Sequence, residues 1–220
     1  MNIKDFNNPK NLSDTIREYI REKIFLGEYK NGERIIEQEL ADELNTSRAP
    51  VREAIKDLIN QGLLFSESNR GTYVLEFTKD DVNEIFKIRT FLESTIFEYL
   101  INEEILTDKD FRKLQETIEE MKLIANREAP YREKVVDFSK KDIKFHKYLW
   151  MKSGKKWTIK ILLDLYYQLR KAMIIDSESQ EDLSDDTKMH QEILNNLKNK
   201  DKDKAIKALQ DHMTLIKDET

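Results

Sequence analysis

The chain has 220 residues, 37% charged and 39% hydrophobic, which suits one large or two small helical domains with a heavily solvated surface. It has no cysteine, which excludes disulfides, thiolate metal sites and cysteine nucleophiles together. A formal net charge of −5 argues against a protein that coats nucleic acid nonspecifically, and 5 Gly and 3 Pro leave little room for long loops.

Met1 to Lys10 is polar and lacks the apolar region of a signal peptide, and no run approaches the roughly 18 apolar residues that span a bilayer. The expectation is a soluble cytoplasmic protein with no membrane partner. Ile16, Tyr19, Ile20 and Ile24 then give a helical stripe, with Ser13 as N-cap and Gly27 as stop. Asn31-Gly32 marks a turn, and Ile36, Leu40, Ala41 and Leu44 form a short second helix that Asn45-Thr46-Ser47 breaks. Ser47 suits the N-cap of a third helix with Pro50 in its first turn, burying Val51, Ile55, Leu58 and Ile59 and ending at Gly62. Two β-patterned runs follow, Leu63 to Ser66 and Thr72 to Leu75, around the turn Glu67 to Gly71. Helix, tight polar turn, helix and hairpin make a winged helix-turn-helix.

Residues 1–78 hold 11 Lys plus Arg against 14 Asp plus Glu, so DNA binding has to rest on local clustering. The third helix supplies it. Arg48, Arg52 and Lys56 repeat every four residues on the face away from its apolar stripe, and arginine near such a helix's N-terminus suits phosphates and guanine edges. Arg70 at the hairpin tip can reach the backbone or an adjacent minor groove. The plain alternative is a solvated face stabilised by Glu53 and Asp57.

The run Ile36-Glu37-Gln38-Glu39-Leu40-Ala41, then Ser47-Arg48-Ala49-Pro50-Val51-Arg52-Glu53-Ala54-Ile55, Leu58, Gly62-Leu63 and Asn69 to Val74, resembles the GntR family of bacterial transcription regulators. The resemblance implies a recognition helix in the major groove, with DNA contacts at Ser47, Arg48, Ala49, Arg52, Arg70 and Gly71. Gln38 stands where some members place a DNA-contacting arginine.

From Thr78 the pattern is helical. Thr78 with Asp81 reads as a capping box before Val82, Ile85, Leu92 and Ile96, and Arg89 sits inside that apolar stripe. Further amphipathic segments run over Asp108–Asn126, Tyr131–Met151, Lys155–Ile175, Asp185–Lys198 and Asp201–Lys217, six helices in all. The acidic stretch Ser177 to Asp186 is expected to be a mobile loop. The domains are then residues 1–76, binding DNA, and residues 77–220, an antiparallel helical bundle.

All three histidines of the chain lie on apolar stripes of this bundle, as does one aspartate. Asp142 and His146 are one helical turn apart, His190 leads Ile193, Leu194 and Leu197, and His212 continues Ala205, Ala208 and Leu209. Buried ionisable groups are costly unless paired or coordinating, and three imidazoles with a carboxylate suit one divalent cation such as zinc. Hydrogen-bonded core histidines are the alternative. Arg89 and Arg170 would complement a carboxylate ligand or, equally, form structural ion pairs.

These helices resemble the FadR-type C-terminal effector domain, in its shorter VanR-like variety. The residues that carry the likeness are Arg89 with Glu93, Asp142-Ile143-Lys144-Phe145-His146, Ser153-Gly154, Met189-His190 and Asp211-His212. Lys155 and Met189 depart from the family's pattern; neither is a ligand. The resemblance implies a bundle that binds zinc or nickel, and a carboxylate effector on the metal. The function it points to is a ligand-responsive regulator, a repressor, acting as a homodimer on a two-fold operator, with coupling through the junction Glu76 to Asp81. Direct metal sensing is one alternative. A metal-dependent hydrolase is another, against which stand the missing nucleophile and general-base motifs.

Overall fold

The computed structural model describes residues 9–177 and 182–213. Backbone packing divides the chain into two compact units, Met1–Phe77 and Thr78–Thr220. In the first, α1 (Pro9–Leu26) buries Ile16, Ile20, Ile24 and Phe25 and stops at Gly27, whose φ of 77° is strained for any residue with a Cβ. Ser13 is a buried residue inside this helix and not its cap, because the helix begins a turn earlier; residues 1–8 of the polar N-terminus lie outside the described residues.

Short helices α2 (Glu37–Glu43) and α3 (Arg48–Asn60) follow, joined by a turn in which Asn45 takes a φ of 48°. Ser47 stands at the N-cap of α3, but its side chain makes no capping hydrogen bond. Val51, Ala54, Ile55 and Leu58 face inward from α3, and full burial of each large aliphatic among them stabilises by about 1.5–3 kcal/mol. Strands β2 (Leu64–Glu67) and β3 (Gly71–Val74) form the expected hairpin, with Phe65 stacked on Tyr73. A two-residue strand β1 (Arg34–Ile35), absent from the sequence reading, pairs antiparallel with β3 to complete a sheet of order β1-β3-β2.

The second unit is all helical among the described residues. The Thr78 capping box forms as its spacing predicts: Asp81 N–H donates to Thr78 Oγ1 at 3.1 Å and Thr78 N–H to Asp81 Oδ2 at 2.7 Å. Helices α4 (Lys79–Asn102), α5 (Asp108–Asn126) and α6 (Tyr131–Ser153) follow, α6 ending at Gly154 with φ 63°. The segment read as one helix over Lys155–Ile175 is two, α7 (Lys156–Asp164) and α8 (Tyr166–Ser177), so among the described residues seven helices stand where six were expected. The break at Leu165 carries no proline or glycine, and periodicity gives no sign of it.

The expected loop at Ser177–Asp186 is cut short, since α8 runs through Ser177 and α9 (Ser184–Lys198) begins before Asp186; residues 178–181 lie outside the described residues. Helix α10 (Lys202–His212) follows a turn at Lys200, and residues 214–217 of its expected end also lie outside them. Helix α6 lies central, against α4, α5 and α8, and fully buries Phe145, Leu149 and Trp150. Among the described residues no helix is long and apolar enough to cross a membrane.

Candidate functional site

Four helices of the second unit converge on Asp142. Helix α6 carries Asp142 and His146, α4 carries Arg89 and Glu93, α9 carries His190 and α10 carries His212; all six are buried. His190 Nε2 and His212 Nε2 each lie 3.2 Å from Asp142 Oδ2, and His146 Nε2 lies 3.8 Å from Asp142 Oδ1. One atom from each of Asp142, His146, His190 and His212 falls within 4.8 Å of the others. Helices α9 and α10 pack against each other and bring the His190 and His212 rings to 4.3 Å between centroids.

The ring orientations follow from the groups behind the rings. His146 Nδ1–H donates to Glu93 Oε2 at 2.6 Å, and His190 Nδ1–H donates to the Asp186 carbonyl at 2.7 Å. Each bond fixes the tautomer and leaves Nε2 aimed at the cluster. Nε2 of all three histidines is buried and has no hydrogen-bond partner among the described residues. Orphaned imidazole nitrogens around a carboxylate are poorly satisfied as a polar core, and their donor set fits a divalent cation.

Arg89 bridges the two carboxylates: Nε is 2.6 Å from Glu93 Oε1 and Nη2 is 3.1 Å from Asp142 Oδ1. Among the described residues its Nη1 meets only the Met173 thioether, a weak acceptor, at 3.5 Å. Burial alone would raise both carboxyls. The charges of Arg89 and His190 instead hold Asp142 well below the carboxylate range, and contact with His146 and Arg89 holds Glu93 at about 2. Burial and the neighbouring Arg89 depress His146, and burial with the His190 charge pushes His212 down to about 3. Burial also opposes the charged form of His190, but Asp142 outweighs it and raises this imidazole. Two carboxylates and one guanidinium leave one negative charge within the cluster, the sign that favours a protonated His190.

A small pocket adjoins the cluster, and Arg89, Asp142, Asp176, Ser177, Asp186 and His212 are among the residues that line it. Burial raises Asp176 to about 6; burial, reinforced by Asp142 and Asp176, raises Asp186 to about 7. The sequence reading missed both aspartates, treating Asp186 as part of an acidic loop. Spacing carries a signal for each: Asp186 lies one turn before His190, and Asp176 extends the stripe of Leu169 and Met173. Arg170 is buried, donates to the Val136 carbonyl at 3.4 Å and does not line this pocket, whereas Arg89 does.

In the first unit, Gln38, Ser47, Arg48, Ala49 and Arg52 are all exposed on α2 and the start of α3. Arg48 and Arg52 both reach Glu37 Oε2 at 3.1 Å, and Gln38 donates to Asp42 at 2.8 Å. Sequence reading assigned Glu37 no role, yet it gathers the two arginines onto one edge of the helix pair. Arg70 is exposed beside the wing turn, paired with Glu67 at 2.8 Å. Gly71 has a φ of 128°, and a Cβ there would lie 2.8 Å from Arg34 Nε, so the wing backbone stays bare where it bends.

Residues 12–74 match the family "Bacterial regulatory proteins, gntR family", and residues 84–215 match the FCD domain. The gluconate operon transcriptional repressor of Bacillus licheniformis is 27% identical over 199 residues, 86% of this chain and 77% of that protein. The uncharacterized HTH-type transcriptional regulator YdhC of Bacillus subtilis is 38% identical over 101 residues, 46% of this chain; the match spans 44% of that relative's length. Among solved structures, E. coli McbR/YncC superposes with a TM-score of 0.69 at 23% identity, covering 92% of this chain and 93% of that one. A putative transcriptional regulator GntR from Rhodococcus sp. RHA1 gives 0.71 at 20%, covering 91% and 93%. At these identities the structural likeness carries the fold alone.

Proposed function

The chain belongs to the gntR family of bacterial regulatory proteins and carries an FCD domain, and on that premise we propose that it is an effector-controlled repressor. The family is one of DNA-binding transcription regulators, not of enzymes, and relatives such as the gluconate operon repressors of two Bacillus species are repressors by name. In this reading residues 1–76 read a two-fold operator as a homodimer in the cytoplasm, and residues 77–220 dimerise and bind the effector. Ser47, Arg48, Ala49 and Arg52 would enter the major groove from the start of α3, with Gln38 beside them and Arg70 and Gly71 on the adjacent backbone.

Asp142, His146, His190 and His212 would hold one divalent cation, zinc by donor type, with nickel as the other candidate. The observation that carries this is the convergence of three orphaned Nε2 atoms on one carboxylate. The metal would supply a Lewis-acidic position for an effector carboxylate. Arg89, which lines the pocket and whose Nη1 meets only a thioether among the described residues, supports that role better than Arg170. An effector changes DNA affinity only by binding one conformation better than another.

The test is operator binding by the full chain, titrated with zinc and with small carboxylates separately and together. A response that needs both supports this reading; a full response to zinc alone supports direct metal sensing. His190→Ala is expected to lose bound metal by elemental analysis and to lose the effector response while keeping DNA binding. Undiminished metal content after both His146→Ala and His190→Ala are introduced would return the histidines to a structural role.

A further inference from the structure

Glu37 opens α2, and its carboxylate is shared by the two arginines at the start of α3. Arg52 meets it side-on: Nε lies 3.3 Å from Oε1 and 3.2 Å from Oε2, and Nη2 lies 3.1 Å from Oε2. Arg48 reaches the same Oε2 through Nη2 at 3.1 Å. The bond from Arg52 leads in holding the Glu37 carboxyl below its ordinary range, against burial, so the group stays ionised at neutral pH. Exposed ion pairs of this kind add little to stability, and the arrangement calls for another use.

The use follows from the shape of the guanidinium, a planar fork with five N–H donors. Glu37 occupies the Nε–Nη2 edge of Arg52. The Nη1–Nη2 edge, at the tip of the side chain, keeps two parallel donors, the pair that suits the O6 and N7 acceptors of guanine. An unbraced arginine samples many rotamers and grips a phosphate as readily as a base. The same carboxylate is repelled by DNA phosphates, and so offsets part of the sequence-independent attraction of Arg48 and Arg52. We infer that Glu37 is a positioning residue for base recognition, holding the Arg52 fork end-on to a guanine and keeping both arginines from acting as general phosphate grips. The inference rests on the reading of α3 as the element that enters the major groove.

The probe is the duplex that the wild-type full chain enriches from a random-sequence pool. Fluorescence anisotropy then compares it with a scrambled duplex and with copies carrying 7-deazaguanine, which lacks the N7 acceptor, or another base pair at each guanine. At one guanine the wild type is expected to lose about tenfold or more on base change. Glu37→Gln, with helical circular dichroism retained, is expected to bring that loss to about threefold or less. Its binding to the scrambled duplex should tighten, with the slope of log affinity on log salt steeper by about one. Glu37→Asp keeps a charge at the start of α2 but is too short to brace Arg52, so discrimination should fall there as well; it also serves where Glu37→Gln fails to fold. In an Arg52→Ala background Glu37→Gln should change discrimination no further. Full discrimination in both folded variants overturns the inference, as does an equal loss without Arg52 or a weakening that is the same for every duplex. If the wild type enriches no sequence, or Arg52→Ala leaves every affinity unchanged, the major-groove reading falls and the inference with it.

Discussion

Glu93 shows how much of a candidate metal site lies behind the side chains that would bind. It touches none of the space between the rings, yet it accepts from His146 and from Arg89 and so fixes one tautomer and one cation together. Glu93→Gln keeps the shape and removes the charge. Metal affinity is expected to fall about 10–100-fold, measured by competition with a chelator, in a variant whose helical content is unchanged; a folded variant with wild-type affinity would sink this role. The four candidate ligands were legible because each breaks an apolar stripe with an ionisable side chain. Asp176 and Asp186 were harder, since Asp186 lies among the acids Asp182 and Asp185 and composition masked its helical phase.

Periodicity defined the amphipathic helices well: α5 runs from Asp108 to Asn126, the bounds that its stripe predicts. It failed where an element is shorter than its own period, as in two-residue β1, or where a break leaves no local mark, as at Leu165. Helix α5 also carries a prediction of its own. Asp110 accepts the Thr107 N–H at 2.9 Å, the Tyr148 hydroxyl at 2.6 Å and Lys152 at 2.6 Å, tying the start of α5 to the end of α6. Burial opposes the charge, but the bonds from Lys152, Tyr148 and Thr107 hold this carboxyl well below its ordinary range. A depressed carboxyl contributes stability that is fully present above the unfolded value, about 3.9, and is lost as pH falls below it. Asp110→Asn is therefore expected to cost about 1–3 kcal/mol in urea unfolding at pH 7, with the gap narrowing as pH drops below about 4. A gap that stays constant across that range would mean the charge contributes nothing.

For the whole molecule, two units with separate cores mean that surface damage in one should leave the other intact. Arg52 is 64% exposed and paired with Glu37, so Arg52→Ala removes contacts and no core. Operator affinity at physiological salt is expected to fall about tenfold or more, by fluorescence anisotropy, with metal content unchanged; wild-type affinity would remove Arg52 from the interface. A different property of the whole chain follows from the charge balance around Asp142. A proton on His190 would offset the surplus carboxylate, and a divalent ion bound at the candidate site would take over that duty by displacing it. Metal uptake would then be an exchange reaction. Its heat should shift with the ionisation enthalpy of the buffer, differing between phosphate and Tris by an amount that counts the protons released, and a regulator loaded in this way would register the acidity of its surroundings along with its metal supply.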